Sequence, residues 1–296
     1  PHFVIEGFTV GIAVVIALQQ LPLVLNVTRA EGDRTLPVAY RTLKSAIESG
    51  IHWWTLGIAL LTLVIKFNTA RILRLARIKT YIPASFLALL VSTGVVKIFH
   101  IDTPNIMEIP RNVFNWTPPD FSHLPHLLWP ALMIALLAAI ESLLSARVAE
   151  QMVKHTEPGE LHANRELVGQ GLATAVASIF GGQPATGAIA RTAVNVRSHA
   201  HTRVASMVHA LAILIIIVAV APLFSQIPAA ALGGVLVGAS IRILNPTNLR
   251  ETLRTTQREL IVFYVTAAVT ISVDLIWGIC AGLIVYFVEQ RVKKGG

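Results

Sequence analysis

The sequence has 296 residues, of which 54% are hydrophobic and only 14% are charged, and its formal net charge is +8. Soluble domains carry about 25% charged residues, so this composition excludes an ordinary water-soluble protein and indicates a membrane protein. The lone cysteine, Cys280, excludes a disulfide framework, and no catalytic or metal-binding motif occurs, so we expect neither an enzyme nor a metal site.

Apolar segments long enough to be membrane helices follow one another along the whole chain. A helix needs about 20 apolar residues to cross the ~30 Å hydrocarbon layer of a bilayer. The predicted spans are residues 4–27, 51–67, 81–98, 125–147, 165–181, a short one at 186–198, 203–224, 228–244, 258–273 and 275–291. The predicted fold class is therefore an all-α polytopic membrane protein.

Lysine and arginine residues alternate in number between successive connecting segments. The connecting segments predicted on one side of the membrane hold 18 of the 24 basic residues, and the first of these segments is Lys66 to Lys79. The segments on the other side hold six. Cytoplasmic segments are the basic ones, which favours a membrane topology over nucleic-acid binding as the reason for the positive charge. One outer segment, Arg29 to Glu48, is an exception with four basic residues. The expected location is the bacterial inner membrane.

Two triplets of predicted spans share the same order of features. Residues 7–98 contain a glycine-bearing span, an amphipathic segment (Leu36 to Ser49) and two further spans. Residues 228–291 repeat this order, with Asn245 to Thr256 as the amphipathic segment. The charge rule places the two amphipathic segments on opposite sides, so we predict an inverted repeat, which is a common transporter architecture. Chance similarity of two helical triplets remains the alternative.

The stretch GGQPATGAIART, Gly181 to Thr192, interrupts the membrane pattern. Pro184 lacks a backbone N–H and keeps the residue before it out of helical angles, so a regular helix cannot continue there. Helical sequence resumes only about a dozen residues before a basic cluster, which is too few to cross ~30 Å. A short helix is therefore predicted to begin near mid-membrane.

A helix N-terminus at that depth exposes free N–H groups and a partial positive charge, which together attract an anion. Thr186 is predicted to cap the helix, and Arg191 adds a full charge. The small residues are expected to leave room for an ion at the backbone. The predicted anion-binding residues are Thr186, Gly187, Ala188, Ile189, Ala190 and Arg191. The alternative is a re-entrant structural helix whose Arg191 extends to the surface.

Glu141 is a second ionisable residue within a predicted span, where an acid costs roughly 2.5–3.5 kcal/mol. Ser145 lies four residues later on the same helical face. Glu141 is predicted to pair with Arg191, to bind a cation or to take up a proton. A protonated acid held only by structural hydrogen bonds is the alternative. Asp274 also lies in an apolar region, but its surroundings indicate an outer turn.

Four motifs carry a resemblance to a known family. They are AAIESLLSARVAEQM, NRELVGQGLA, GGQPATGAIARTAVNVRSHAHTRVAS and IPAAALGGVLVGASI. They resemble the SulP family of anion transporters, the sulfate permease type that includes prestin. The resemblance implies a 7+7 inverted-repeat fold divided into a gate and a core domain. It assigns residues 1–98 to gate spans 5–7, 99–124 to an outer loop, 125–224 to core spans 8–11 and 225–296 to gate spans 12–14.

The resemblance also implies four earlier spans and a cytoplasmic STAS domain that the printed sequence does not contain, so half of the anion site is expected elsewhere. Gly187 to Ala190 and Arg191 resemble the family's anion-binding helix start. The resemblance implies that family members with hydroxyl residues at the positions of Ala188 and Ala190 contact the anion by side chain, so here backbone N–H groups are expected to serve. Glu141 resembles the acid that couples transport to H⁺ or Na⁺.

The leading prediction is secondary active transport of an inorganic or small organic anion, with sulfate as substrate and a proton as coupling ion. Bicarbonate or a dicarboxylate is the second choice, and no cofactor is expected beyond a coupling H⁺ or Na⁺. A nucleobase carrier of the same architecture and a channel-like relative are further alternatives. The expected partners are the anion and the lipid bilayer, with no nucleic acid, and a homodimer of the full-length parent is compatible with the family.

Overall fold

The structure of the chain is a computed structural model. It describes residues 2–77, 82–106, 116–118, 120, 122–153, 162–200, 202–244, 249, 252 and 255–295. The helices are α1 (His2–Gln19), α2 (Leu21–Leu25), α3 (Thr35–Ser49), α4 (Trp53–Leu75), α5 (Ala84–Ile98), α6 (Leu124–Met152), α7 (Ala163–Ile179), α8 (Ile189–Arg197), α9 (Val204–Phe224), α10 (Ala229–Ile243), α11 (Gln257–Ser272) and α12 (Leu275–Gly295).

Most predicted spans correspond to one helix each, with ends that differ by a few residues. The span 4–27 is divided between α1 and α2, and α4 ends eight residues beyond the predicted end of 51–67. By length and composition, four helical stretches in the described part of the chain could cross a bilayer: Phe3–Leu25, Trp53–Leu75, Leu124–Glu150 and Val204–Phe224. Of the predicted amphipathic segment 245–256, the structure describes only residues 249, 252, 255 and 256. The predicted outer loop 99–124 is described except for residues 107–115, 119 and 121, and the stretch between the predicted spans 125–147 and 165–181 is described except for residues 154–161.

The chain divides into two compact units. The first unit comprises Pro1–Glu108 together with Pro222–Gly296, and the second unit comprises Ile109–Ala221. The first unit therefore contains α1 to α5 and α10 to α12, and the second unit contains α6 to α8 and most of α9.

Helix packing in the first unit repeats itself. Helix α1 packs against α11 and α12, and α11 packs against α12. In the same way, α10 packs against α4 and α5, and α4 packs against α5. Exchanging α1 with α10, α4 with α11 and α5 with α12 thus reproduces the neighbour pattern. This agrees with the predicted repeat of residues 7–98 and 228–291.

The repeat extends to individual residues at the helix crossings. A Cβ on Gly7 of α1 would lie 2.5 Å from the carbonyl oxygen of Phe263 and 2.9 Å from Thr266 Cβ on α11. A Cβ on Gly234 of α10 would lie 2.6 Å from the carbonyl oxygen of Ala59 and 3.2 Å from Thr62 Cβ on α4. Glycine at these crossings lets the two backbones approach closely, as is common between membrane helices.

Lys66 differs from its sequence-based assignment. It was counted with a connecting segment, but α4 continues to Leu75 and leaves Lys66 only 4% exposed inside the helix. Arginine, leucine and alanine, which favour helix, follow it, so the helix extends into the charged stretch. Its Nζ donates a 2.5 Å hydrogen bond to the carbonyl oxygen of Val235 on α10.

Asp274 lies where the sequence predicted, in the short turn between α11 and α12. Its carboxylate accepts the backbone N–H of Ile276 at 2.8 Å, which satisfies one free donor at the start of α12. The side chain therefore has a structural role at a helix end.

Candidate functional site

The break in the membrane pattern is present in the second unit. Helix α7 ends at Ile179, Gly181 has a left-handed φ of 74°, and residues 182–188 are not helical. Glycine adopts such a φ without the steric cost that a Cβ would add. Helix α8 then has 9 residues, which corresponds to about 13 Å and cannot cross a bilayer.

Three hydrogen bonds fasten the start of α8 to α6. The hydroxyl of Thr186 donates to Oε2 of Glu141 at 2.5 Å. The backbone N–H of Gly187 donates to Oγ of Ser142 at 3.2 Å. Farther along, the hydroxyls of Ser145 and Thr192 are 2.6 Å apart. The segment that enters α8 thus follows α6 over one helical turn.

One role predicted from the sequence is wrong, and a second predicted donor has a partner within the protein. Thr186 does not cap α8: the N-cap is Ala188, in an extended conformation without a side-chain cap, and the Thr186 hydroxyl is bound to Glu141 instead. The backbone N–H of Gly187, a predicted anion-binding residue, donates to Ser142 in this structure. A Cβ at Gly187 would also lie 3.3 Å from Ser145 Cβ, so its small size serves close packing against α6.

The backbone donors without a described acceptor lie in the first turn of α8. The first backbone bond of the helix joins the N–H of Thr192 to the carbonyl of Ala188. The N–H groups of Ile189 and Arg191 have no acceptor among the residues that the structure describes. Unpaired N–H groups of this kind carry the positive end of the helix dipole. Arg191 is exposed and adds a full charge in the same turn.

Glu141 is half-buried and makes no ion pair with Arg191 within the described part of the chain. Of the three roles predicted for this acid, pairing with Arg191 is not observed among the described residues, and all three stay predictions. Its observed partner is the neutral hydroxyl of Thr186.

Sequence reasoning missed three residues that build the break. Ser142 and Thr192 contribute to the contacts with α6, and the side-chain amide of Gln170 on α7 donates to the carbonyl of Ala185. Ser142 and Thr192 follow Glu141 and Arg191 directly in the sequence, and this adjacency was the available signal. Gln170 offered none, because its partner lies across a turn 15 residues away.

Comparison with known proteins identifies the family. The model of the sulfate permease family matches residues 1–266. The chain belongs to the sulfate permease family. It is 34% identical over 97% of its length to YvdB of Bacillus subtilis (strain 168), and covers 54% of that protein. It is 27% identical over 96% of its length to the bicarbonate transporter BicA of Synechocystis, and 26% over 95% to sulfate transporter 4.1, chloroplastic, of Arabidopsis thaliana, covering 49% and 41% of them.

Solved structures of this type share the fold. The transmembrane domain of a cyanobacterial bicarbonate transporter BicA has a TM-score of 0.77 at 24% identity, with 96% of this chain and 69% of that chain covered. The murine Solute Carrier 26 family member A9 anion transporter, inward-facing, has a TM-score of 0.78 at 17% identity, with 99% and 48% covered. The predicted fold class is thereby confirmed, and this sulfate permease family chain is an integral membrane protein.

The chain spans about half the length of the curated relatives it matches. The family and its named members are transporters, which confirms the prediction that this chain is not an enzyme. Substrate, coupling ion, oligomeric state and the roles of individual site residues stay predictions.

Proposed function

We propose that this chain is the part of a secondary active anion transporter that holds the start of the anion-binding helix and its coupling acid. The observation that carries the proposal is the fastening of the start of α8 to α6, which fixes free N–H groups and Arg191 beside an acid. Membership of the sulfate permease family supports it.

The anion is proposed to bind at the first turn of α8. The N–H groups of Ile189 and Arg191 are free to donate, and that of Ala190 lies between them in the same turn. Fixed backbone donors, the helix dipole and the guanidinium of Arg191 would act together on one negative charge. Thr186 and Gly187 then have a supporting role, because their donors already hold the break against α6.

Proton coupling is proposed to act through Glu141 and Thr186. An ionised carboxylate only accepts hydrogen bonds, so the Thr186 hydroxyl must point its proton at Glu141. A protonated carboxyl group can donate to Thr186 instead. The Thr186 hydroxyl would then be free to donate to another group, and one negative charge near the helix start would be gone. Both changes favour anion binding, so proton and anion would bind together and cross together.

The two compact units are proposed to be the two moving parts of the transporter. The first unit, with α1 to α5 and α10 to α12, would be the gate, and the second unit would be the second half of the core. The remaining half of the core would belong to the longer parent protein, for which we propose the bacterial inner membrane as location. A homodimer of that parent is part of the proposal.

Sulfate is the proposed substrate. The family description and the Arabidopsis sulfate transporter support it, whereas the similarity to BicA favours bicarbonate as the second candidate. A dicarboxylate remains compatible with a single cationic helix start. A neutral nucleobase would gain little from Arg191 and from free N–H groups, so the site favours an anion over that class.

The test is transport by the full-length parent in proteoliposomes. We expect labelled sulfate to accumulate against its gradient when the outside is acidified, and bicarbonate and fumarate to compete less well. Accumulation driven by Na⁺ at constant pH would overturn proton coupling. Anion flux that never runs against its gradient would identify a channel-like relative and overturn secondary active transport.

A further inference from the structure

Helix α3 has three distinct faces along its length. Its buried face consists of Val38, Ala39, Thr42 and Ala46. Its charged or polar face is exposed and consists of Arg41, Lys44, Ser45 and Glu48. The third face is apolar and exposed, and consists of Leu36, Tyr40, Leu43 and Ile47, with exposed fractions of 42%, 69%, 43% and 63%. The spacing of 4, 3 and 4 residues puts these four side chains in one stripe.

The buried face is already occupied by the rest of the first unit. Helix α3 packs against α1, α2 and α11. The hydroxyl of Thr42 accepts the backbone N–H of Ala30 at 3.3 Å, which ties the preceding loop to the same face. The orientation of α3 about its own axis is therefore fixed, and the apolar stripe points away from the protein. A continuous exposed apolar stripe of this kind marks an interaction surface.

The position of α3 in the chain identifies what covers the stripe. It connects Phe3–Leu25 and Trp53–Leu75, both of which could cross a bilayer. Three residues, 50–52, separate it from α4, and three residues reach at most about 10 Å. Helix α4 begins with Trp53 and Trp54, which are 72% and 73% exposed, and exposed tryptophans concentrate at the membrane–water interface. The end of α3 is therefore close to the membrane surface.

We propose that α3 lies in the plane of the bilayer interface, with its apolar stripe among the outer segments of the acyl chains and its charged face in water. Interfacial helices have this division into an apolar face and a polar face rich in lysine and arginine. Arg41 and Lys44 would lie at the level of the lipid phosphates, with long aliphatic stems extending along the apolar region. The Lys44–Glu48 ion pair, 3.7 Å and exposed, is too weak to prevent this contact.

The proposal also accounts for the exception in the distribution of basic residues. The segment Arg29 to Glu48 carries four of them on the side predicted to be poor in positive charge. Two of them, Arg41 and Lys44, lie on α3. If α3 uses these two to contact headgroups, their presence reflects lipid binding and need not follow the topology rule.

Spin labels on α3 of the full-length parent in lipid nanodiscs test the placement. Cys280 and any other native cysteine would be changed to serine, and one cysteine at a time introduced at positions 40, 43 or 47 on the apolar stripe and 41, 45 or 48 on the charged face. We expect the stripe labels to collide preferentially with dissolved oxygen and the others with a water-soluble nickel chelate. Ala46→Cys, on the buried face, is the control that should be shielded from both.

Two outcomes would overturn the proposal. Preference for the nickel chelate at positions 40, 43 and 47 would show that the stripe faces water. Immobilised labels at these positions, shielded from both reagents, would show that a protein surface or a second copy of the chain covers it. A second experiment tests the headgroup contact. We expect the wild-type protein to have a higher melting temperature in nanodiscs that contain phosphatidylglycerol than in nanodiscs of neutral lipid. The double variant Arg41→Gln with Lys44→Gln should have the same melting temperature in both. An unchanged lipid dependence would overturn that contact.

Discussion

The hydroxyl of Thr186 donates a 2.5 Å hydrogen bond to the carboxylate of Glu141. The acid on α6 is thus one bond away from the segment that enters α8. A change of protonation at Glu141 can reverse the direction of this bond, because only the ionised form is restricted to accepting. The contact therefore connects a titratable group to the helix start proposed to bind the anion.

Removing the Thr186 hydroxyl tests that connection. Thr186→Val keeps the side-chain volume and removes the donor, and we expect proton-driven uptake to fall about tenfold, in line with about 1.5 kcal/mol for a hydrogen bond to a charged group. Thr186→Ser should retain most of the activity. Initial uptake rates in proteoliposomes, measured against external pH, would show the effect. An identical pH profile in wild type and Thr186→Val would contradict the proposed relay.

Glu141→Gln tests the acid itself. Glutamine can still accept a hydrogen bond from the Thr186 hydroxyl, but it does not take up or release a proton as a carboxyl group does. We expect accumulation under an inward proton gradient to be lost, while exchange of labelled for unlabelled anion continues. The matched control is Glu150→Gln on the same helix, whose carboxylate lies 3.5 Å from Arg147 at the surface. Uphill uptake that survives Glu141→Gln would exclude Glu141 as the coupling group.

Arg191→Ala tests the anion site. Loss of a charged hydrogen bond is expected to weaken anion affinity about ten- to a hundredfold, and Arg191→Lys should retain part of it. Ala188→Leu should weaken binding by bulk at the N-cap. Arg197→Ala, in the last turn of the same helix, is the matched control. Affinity and melting temperature should be measured together on the full-length parent, because a merely structural Arg191 would lower the melting temperature and leave the affinity unchanged.

Gly278→Ala tests the packing of the first unit. A Cβ at Gly278 would overlap Thr270 Oγ1 and lie 2.9 Å from the backbone of Thr270 on α11. Overpacking of this kind costs about 1–3 kcal/mol, so the melting temperature should fall by several degrees. At Gly57 of α4, no described atom lies within 4 Å of an added Cβ, and Gly57→Ala is the control. Equal effects of the two substitutions would rule out the close crossing of α11 and α12.

Lys66→Met tests the buried cation of α4. Among the described residues no carboxylate lies within ion-pair distance of Lys66, and its stem lies against Gly238. Replacing a buried charge by an apolar side chain of similar volume is often neutral or stabilising. We expect an unchanged or higher melting temperature for Lys66→Met and a lower one for Lys66→Ala, which leaves a cavity. If both substitutions lower the melting temperature equally, the hydrogen bond from Lys66 to Val235 stabilises the first unit more than packing of the aliphatic part of Lys66 does.

The sequence by itself determined the helices and the break between α7 and α8. Long apolar runs have few alternatives to helix in a membrane, because each backbone polar group needs a partner within its own segment. Pro184 and the glycines around it end one helix for equally local reasons. The neighbourhood of Glu141 and the position of Arg191 could likewise be identified as candidates, since ionisable residues are conspicuous in an apolar span.

The tertiary structure decided which partners those residues take. Thr186 was predicted to cap α8, and it bonds to Glu141, 45 residues earlier in the chain. Gly187 was predicted to be an anion-binding residue, and its N–H donates to Ser142 in this structure. A hydroxyl or an N–H can satisfy its hydrogen bond with any acceptor within about 3 Å. Which acceptor comes that close depends on how α6 packs beside α8, and local sequence carries no record of that packing.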